Sequence, residues 1–220
     1  NNLERLLKLD ESKLNKVIKK IQDERSLSER IRKYNEIIKD KEFGVEALGE
    51  KSPYVDVETI ALAYTILSTV GLKDIKVCIN TLGDDASRAA YRSALKAYFK
   101  PHYDELCSDC KRRYEQNPLR ILDCKVDHDQ PFMQQAPSMK DYLNDESKNY
   151  FQTVLDLLDT LDIPYEIDDK LVRGLDYYTH TVFEIVSMNK EMGAQSTVLA
   201  GGRYDGLISY FGGPKEMGGV

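Results

Sequence analysis

Apolar residues recur every three to four positions at the start of the chain: Leu3, Leu7, Leu14, Val17, Ile18 and Ile21 form one stripe, and Leu27, Ile31, Tyr34 and Ile38 a second. That period is one face of an α-helix. Ser26 followed by Glu29 has capping-box spacing, in which each side chain satisfies a backbone N–H of the first turn, so a second helix is expected to start there. Residues 1–42 therefore read as a helical hairpin. From Phe43 the pattern shortens and glycines punctuate it, which marks a domain boundary near residue 42. Apolar Phe43, Val45 and Ala47 alternate, predicting a short strand with Glu46 on the face of Gly44 and Leu48. A helix over 55–70 follows Pro53, carries Asp56 and Glu58 in its first turn and ends at Gly71. A strand over 76–80, a turn at Gly83 and a helix over 85–99 that stops before Pro101 come next. A long helix over 144–161 is closed by Ile163-Pro164, and strands rich in Val, Thr, Ile and Phe cover 181–187 and 195–200.

The totals narrow the class. With 41% hydrophobic residues in 220, the chain can bury a substantial core. It shows neither an uncharged apolar run of membrane-spanning length nor an apolar stretch behind a basic start, so a cytoplasmic protein is expected. A net charge of −6 argues against indiscriminate nucleic-acid binding, which draws on concentrated Lys and Arg. Lys111, Arg112, Arg113 and Arg120 still make a local basic cluster. Charge alone leaves two readings of it, an RNA-facing patch and a solvated loop.

Two segments carry recognisable chemistry. Leu171-Val172-Arg173-Gly174-Leu175-Asp176-Tyr177-Tyr178-Thr179 sets an arginine, an aspartate and two tyrosines beside a glycine at a strand's edge. Arginine offers a planar fork that matches phosphate or carboxylate oxygens, and tyrosine an apolar ring with a hydroxyl that donates or accepts. A surface hairpin is the alternative. In Ala200-Gly201-Gly202-Arg203-Tyr204-Asp205-Gly206-Leu207, two glycines after a strand allow a ligand close to the backbone, or simply make a tight turn.

Taken in order, these two segments resemble the pair of histidine-specific signatures of the histidyl-tRNA synthetases. Phe43-Gly44-Val45-Glu46-Ala47-Leu48-Gly49 is similar to the strand after that family's second class motif. Asn117-Pro118-Leu119-Arg120-Ile121-Leu122-Asp123-Cys124-Lys125 resembles a signature of its insertion domain. The resemblance covers residues 43–220 and implies an α+β fold: part of a class II antiparallel catalytic sheet in segments 43–84 and 166–220, and an inserted α/β domain over 85–165. It also implies an activity, joining histidine to ATP as histidyl-adenylate and passing the histidyl group to tRNA(His), with Mg2+ accompanying ATP, in a homodimer and away from any membrane. Carried over by position, Glu46 and Tyr178 would hold the substrate imidazole, Tyr204 would line the histidine site, and Glu42 would face the amino group. Arg173 would be the catalytic residue, facing the α-phosphate and the substrate carboxylate. Gly174, Gly201 and Gly202 would form the glycine loops, and Arg112, Arg113 and Arg120 would contact tRNA. The family's three class motifs, which grip ATP, are absent from these 220 residues, so the chain by itself is expected not to activate histidine. The alternatives are an inactive synthetase-like RNA-binding or oligomerising module, and a regulatory paralogue acting in histidine biosynthesis.

Cys107-x2-Cys110 and Cys124-x3-His128 offer three thiolates and an imidazole, a donor set able to close a tetrahedral zinc site. Buried, reduced thiols are the alternative. Cys78, alone in an apolar strand, is expected in the core, and His102 and His180 are given no catalytic role.

Overall fold

The structure, a computed structural model, describes residues 44–172, 177–188, 196–215 and 217–220. The expected hairpin over 1–42, with Glu42, lies outside the described residues, as do Arg173 and Gly174. The helices are α1 (Pro53–Thr69), α2 (Asp85–Phe99), α3 (Ser108–Gln116), α4 (Pro131–Gln134), α5 (Asp145–Thr160) and α6 (Leu207–Tyr210). The strands are β1 (Ile75–Thr81), β2 (Tyr165–Ile167), β3 (Thr179–Ser187) and β4 (Ser196–Arg203). Short 3-10 turns at Lys100–Glu105, Pro118–Ile121 and Met139–Tyr142 carry the chain between α2 and α5.

The helices begin where the sequence supplies caps. Ser52 accepts the Tyr54 N–H ahead of Pro53, whose missing N–H costs nothing in a first turn. The starts of α2 and α5 are tied to each other. Asp84 and Asn144 each accept the N–H of the third residue onward, Ser87 and Ser147 (2.8 Å each), and Asn144 Nδ2 donates to Asp84 Oδ2 at 2.8 Å. Each serine hydroxyl then accepts the N–H of the other helix's cap, Asp84 on Ser147 and Asn144 on Ser87, at 3.1 Å. Two helices 60 residues apart in sequence thus share one capping network. Burial alone would raise the Asp84 carboxyl, but the donors from Ser87 and Asn144 outweigh it and hold it below the usual aspartate value.

The four strands form one mixed sheet in the order β2-β1-β3-β4. β1 pairs with β2 in parallel and with β3 antiparallel, and β3 with β4 antiparallel. Strand alternation sends Ile75, Val77, Ile79, Phe183 and Ile185 to one face, where they pack with Val57, Ile60, Ala63 and Leu67 of α1 and Phe151, Val154, Leu155 and Leu158 of α5. Burying each of the Val, Ile, Leu and Phe side chains contributes on the order of 1.5–3 kcal/mol. Val182, from the other face, joins a second cluster built on Tyr91, Leu95 and Phe99 of α2, Cys110 of α3, Leu119, Ile121, Phe132, Met133 and Met139, reaching Leu171, Val172, Tyr178 and Tyr204. Cys78 is only half-buried at the edge of this cluster, where a full core position was expected.

Residues 44–49 form less of a strand than their alternation suggests. A single bridge joins Leu48 to Gly219, and Ala47 and Val220 exchange backbone hydrogen bonds at 2.8 and 3.1 Å. The partner is the far end of the chain, so this segment is placed by a contact that local sequence does not contain.

Candidate functional site

The β3–β4 pair is irregular at one end. Thr179 opposes Arg203, but the next partners are Val182 and Gly202, so two residues bulge from β3 between them. His180 sits in that bulge with φ of +46°, a left-handed conformation that costs a side chain about 1 kcal/mol or more, held by its N–H to Gly83 O (2.8 Å) and by the Leu82 N–H on its carbonyl (2.7 Å). The bulge sets Tyr178 against β4. A Cβ on Gly202 would lie 2.9 Å from the Tyr178 ring and 2.8 Å from Thr181 O, and one on Gly201 would lie 2.9 Å from Phe183. The glycine pair is therefore inside the strand and serves as a slot for two aromatic rings, where the sequence placed a loop after the strand.

Tyr204 continues from β4 and donates its N–H to Gly219 O at 2.7 Å. Its ring lies so close to Gly219 that a Cβ there would come within 2.4 Å of it. Burial, then the negative charge of the nearby Glu46 carboxylate, pushes the Tyr204 hydroxyl above the ordinary tyrosine range. Tyr177 stacks obliquely on Tyr178 (4.8 Å) and meets Tyr204 edge-on (6.1 Å). Tyr178 and Tyr204 are buried while Glu46 is exposed. Of the expected histidine-site residues, Glu46, Tyr178, Tyr204 and Gly202 thus surround one place, together with Tyr177 and Gly219, whereas Gly201 meets Phe183 on the other face of the sheet. The result is an apolar aromatic wall with a carboxylate at its mouth. Such a surface accepts a flat ring that carries N–H donors.

Beneath this wall lies a group that the sequence reading passed over. Arg203, fully buried, donates from Nε and Nη2 to Asp56 Oδ1, from Nη1 to Asp205 Oδ1 (2.9 Å) and Glu50 O (3.0 Å), and from Nη2 to Ser52 O (3.2 Å). That uses all five donors of the guanidinium. Asp56, also fully buried, accepts on Oδ2 from Tyr150 (2.9 Å) and Thr181 (2.5 Å). Burial would lower the Arg203 pKa, yet the Asp56 carboxylate more than offsets it and the guanidinium stays charged. His180 stacks on Tyr150 at 4.4 Å, and burial holds its imidazole below the usual histidine value, against the pull of Asp205 and Asp56. Arg203 is thus a strut locking β4 to the start of α1, with no donor left for a ligand. An arginine inside an apolar strand was the available signal.

The basic residues gather elsewhere. Arg112, Arg113 and Arg120 line a cleft of about 290 Å³ with Gln116 and Asn117, none of which belongs to the tyrosine wall. Arg113 Nη1 donates to Arg120 O at 2.8 Å, fixing α3 to the following 3-10 turn, and Arg112 pairs with Asp109 at 2.9 Å. The cysteine cluster differs from expectation in one member. Cys107, Cys110 and Cys124 converge with Asp127, all four ligand atoms lying within 4.8 Å of one another. His128 instead faces solvent and contacts Asp129 Oδ1 at 3.0 Å. The reason is local: in the turn after Cys124 the third residue folds back toward the sulfur and the fourth points outward.

Comparison with known proteins fits this geometry. The sequence profile of the family described as Histidyl-tRNA synthetase matches residues 23–220. Histidine--tRNA ligase 1 of Shouchella clausii is 55% identical over 177 residues, and histidine--tRNA ligase of Listeria monocytogenes 53% over the same length; each match covers 80% of this chain and 42% of the relative. This chain thus spans about two-fifths of the length of those relatives. The structure of apo histidyl-tRNA synthetase from S. aureus superposes with a TM-score of 0.64 at 44% identity, over 79% of this chain and 42% of that one. A Bacillus halodurans protein titled ATP phosphoribosyltransferase regulatory subunit/histidyl-tRNA synthetase shares the fold alone, at 21% identity, TM-score 0.50, 79% of this chain and 48% of that one.

Proposed function

Because this chain belongs to the histidyl-tRNA synthetase family, we propose that the protein it comes from is a histidine–tRNA ligase and that residues 44–220 supply its histidine pocket and part of its tRNA-facing surface. The reaction joins histidine and ATP into histidyl-adenylate with release of pyrophosphate, then transfers the histidyl group to tRNA(His) with release of AMP. The observation that carries this reading is the wall of Tyr177, Tyr178 and Tyr204 with the Glu46 carboxylate beside Tyr204.

An imidazole is a thin aromatic ring with a nitrogen on each side, and a pocket selects it by meeting both nitrogens at once. Glu46, beside Tyr204, takes one ring N–H, and the Tyr178 hydroxyl meets the other nitrogen. The burial of both tyrosines keeps water from competing for those bonds. Arg173 and Glu42 take the roles given them by position in the family: the arginine neutralises the α-phosphate and the substrate carboxylate as charge develops, and the glutamate faces the amino group. Mg2+ travels with ATP as part of that substrate. The three-thiol, one-carboxylate cluster of this chain is too soft a donor set to hold it.

Arg112, Arg113 and Arg120 present their cleft to the phosphates of tRNA. The enzyme is a homodimer working in the cytoplasm; among the described residues no helix is long and apolar enough to cross a membrane. The basic cleft also supports a second reading, a tRNA-binding module without catalysis. A regulatory paralogue has less support, since the likeness is 55% to a histidine–tRNA ligase and 21% to the chain titled as a regulatory subunit.

Calorimetric titration of histidine, with histidinol as second ligand, into this chain tests the pocket. Saturable binding weakened by about 10-fold or more in Glu46→Gln and Tyr178→Phe is expected, the cost of leaving a buried partner unpaired. No binding by folded protein rejects the pocket. Histidine-dependent pyrophosphate exchange by the longer protein separates the ligase from the tRNA-binding module.

A further inference from the structure

Away from the histidine pocket, two stretches of the chain fold into the same small device. Cys107-x2-Cys110 and Cys124-x2-Asp127 have identical spacing, and in each the N–H of the last residue points back at the sulfur of the first: Cys110 N–H to Cys107 Sγ and Asp127 N–H to Cys124 Sγ, both 3.4 Å. These are paired knuckles, turns that aim two side chains at one point while backbone N–H groups spread the negative charge of a thiolate. The knuckles face each other. Cys107 Sγ and Cys124 Sγ are 3.7 Å apart, against a sulfur–sulfur edge of about 3.8 Å for a tetrahedron with metal–sulfur bonds near 2.3 Å. Asp127 Oδ2 accepts the Cys107 N–H at 3.1 Å, which anchors the carboxylate and leaves its other oxygen for the centre. Cys110, Cys124 and Asp127 are buried and Cys107 is partly so.

We infer that Cys107, Cys110, Cys124 and Asp127 bind one Zn2+ in a tetrahedral, structural site. Three thiolates and one carboxylate oxygen fill the coordination sphere and leave no position for a reacting water, so the site is not catalytic. Its consequence is mechanical. Cys107 is the N-cap of α3 and Cys124 follows the 3-10 turn that carries Arg120, so the metal pins together the two pieces of backbone that bear Arg112, Arg113 and Arg120. The inference stands without the histidine pocket, and its failure leaves that reading untouched.

The test is metal analysis of this chain purified without a polyhistidine tag, followed by titration of the metal-free protein with Co2+. About one zinc per chain is expected, with the visible absorption of tetrahedral cobalt thiolate on titration and its loss when Zn2+ displaces the cobalt. Cys110→Ser and Cys124→Ser should lose the metal, Asp127→Asn should bind it at least about 10-fold more weakly, and His128→Ala should keep it fully. The Co2+ spectrum of the unaltered protein decides even where a cysteine variant misfolds. Absence of stoichiometric zinc together with a featureless cobalt titration overturns the site. So does retention of zinc by Asp127→Asn with loss in His128→Ala, or a Cys107–Cys124 disulfide found by thiol counting in the protein as isolated.

Discussion

The Arg203–Asp56 pair offers the sharpest test of what supports the aromatic wall. Both groups are fully buried, every guanidinium donor is used, and both carboxylate oxygens accept twice. Asp56→Asn keeps the shape but removes the charge, and turns an NH2 group toward the Thr181 and Tyr150 hydroxyls or the guanidinium. Arg203→Met keeps the volume and strands the Asp56 charge along with the carbonyls of Glu50 and Ser52. Removing one partner of a buried pair costs about 3–5 kcal/mol, and for a chain of this length each kcal/mol shifts Tm by about 2–4 °C. Each single variant should therefore melt roughly 6–20 °C lower. The double variant should fall short of the summed losses by at least about 1 kcal/mol, since the second substitution removes a group already deprived of its partner. Urea unfolding followed by far-UV circular dichroism, with all three variants on one m-value, gives the cycle. Single variants within about 2 °C of the unaltered chain, or strictly additive losses, would show that the pair carries little of the fold and that the wall has some other support.

Three further outcomes follow from the geometry. Gly219→Ala drives a Cβ into the Tyr204 ring and should destabilise by about 1–3 kcal/mol while weakening histidine binding; Gly206→Ala, which meets nothing within 4 Å, is the control and should stay within about 0.5 kcal/mol, and equal effects in the two would refute the close-approach argument. His180 has a folded pKa below 6.5, so between that lowered value and 6.5 the unfolded chain binds more protons and stability falls as the solution is acidified; His180→Asn, which tolerates positive φ, should flatten that part of the stability-versus-pH curve, and an unchanged slope would show that His180 does not titrate there. Asp84→Ala removes the cap of α2 and its link to Asn144, with an expected loss of about 1–2 kcal/mol at pH 7 that shrinks as pH falls through the lowered Asp84 value, read from unfolding at pH 7 and pH 3.

The sequence by itself determined the longer regular elements. Predicted helices over 55–70, 85–99 and 144–161 became Pro53–Thr69, Asp85–Phe99 and Asp145–Thr160, because caps, proline and apolar period act within one or two turns. The predicted strands over 76–80 and 181–187 likewise fell inside Ile75–Thr81 and Thr179–Ser187, and the described part of 195–200 lies in Ser196–Arg203, Gln195 being outside the described residues. The resemblance of two short segments was enough to name a family to which the whole matched stretch proved to belong. Only the tertiary structure decided what the neighbouring residues do. Arg203 meets Asp56 across 147 positions, and nothing near either residue announces the other. Gly201 and Gly202 carry no side chain because the rings of Phe183 and Tyr178 occupy that space, and Asp127 rather than His128 joins the thiols because a turn folds its third residue inward. Periodicity and capping are short-range, and so can be read along the chain; an ion pair, a ring's resting place and the convergence of two knuckles depend on which distant backbone arrives at the same point, and that is fixed only when the cores pack.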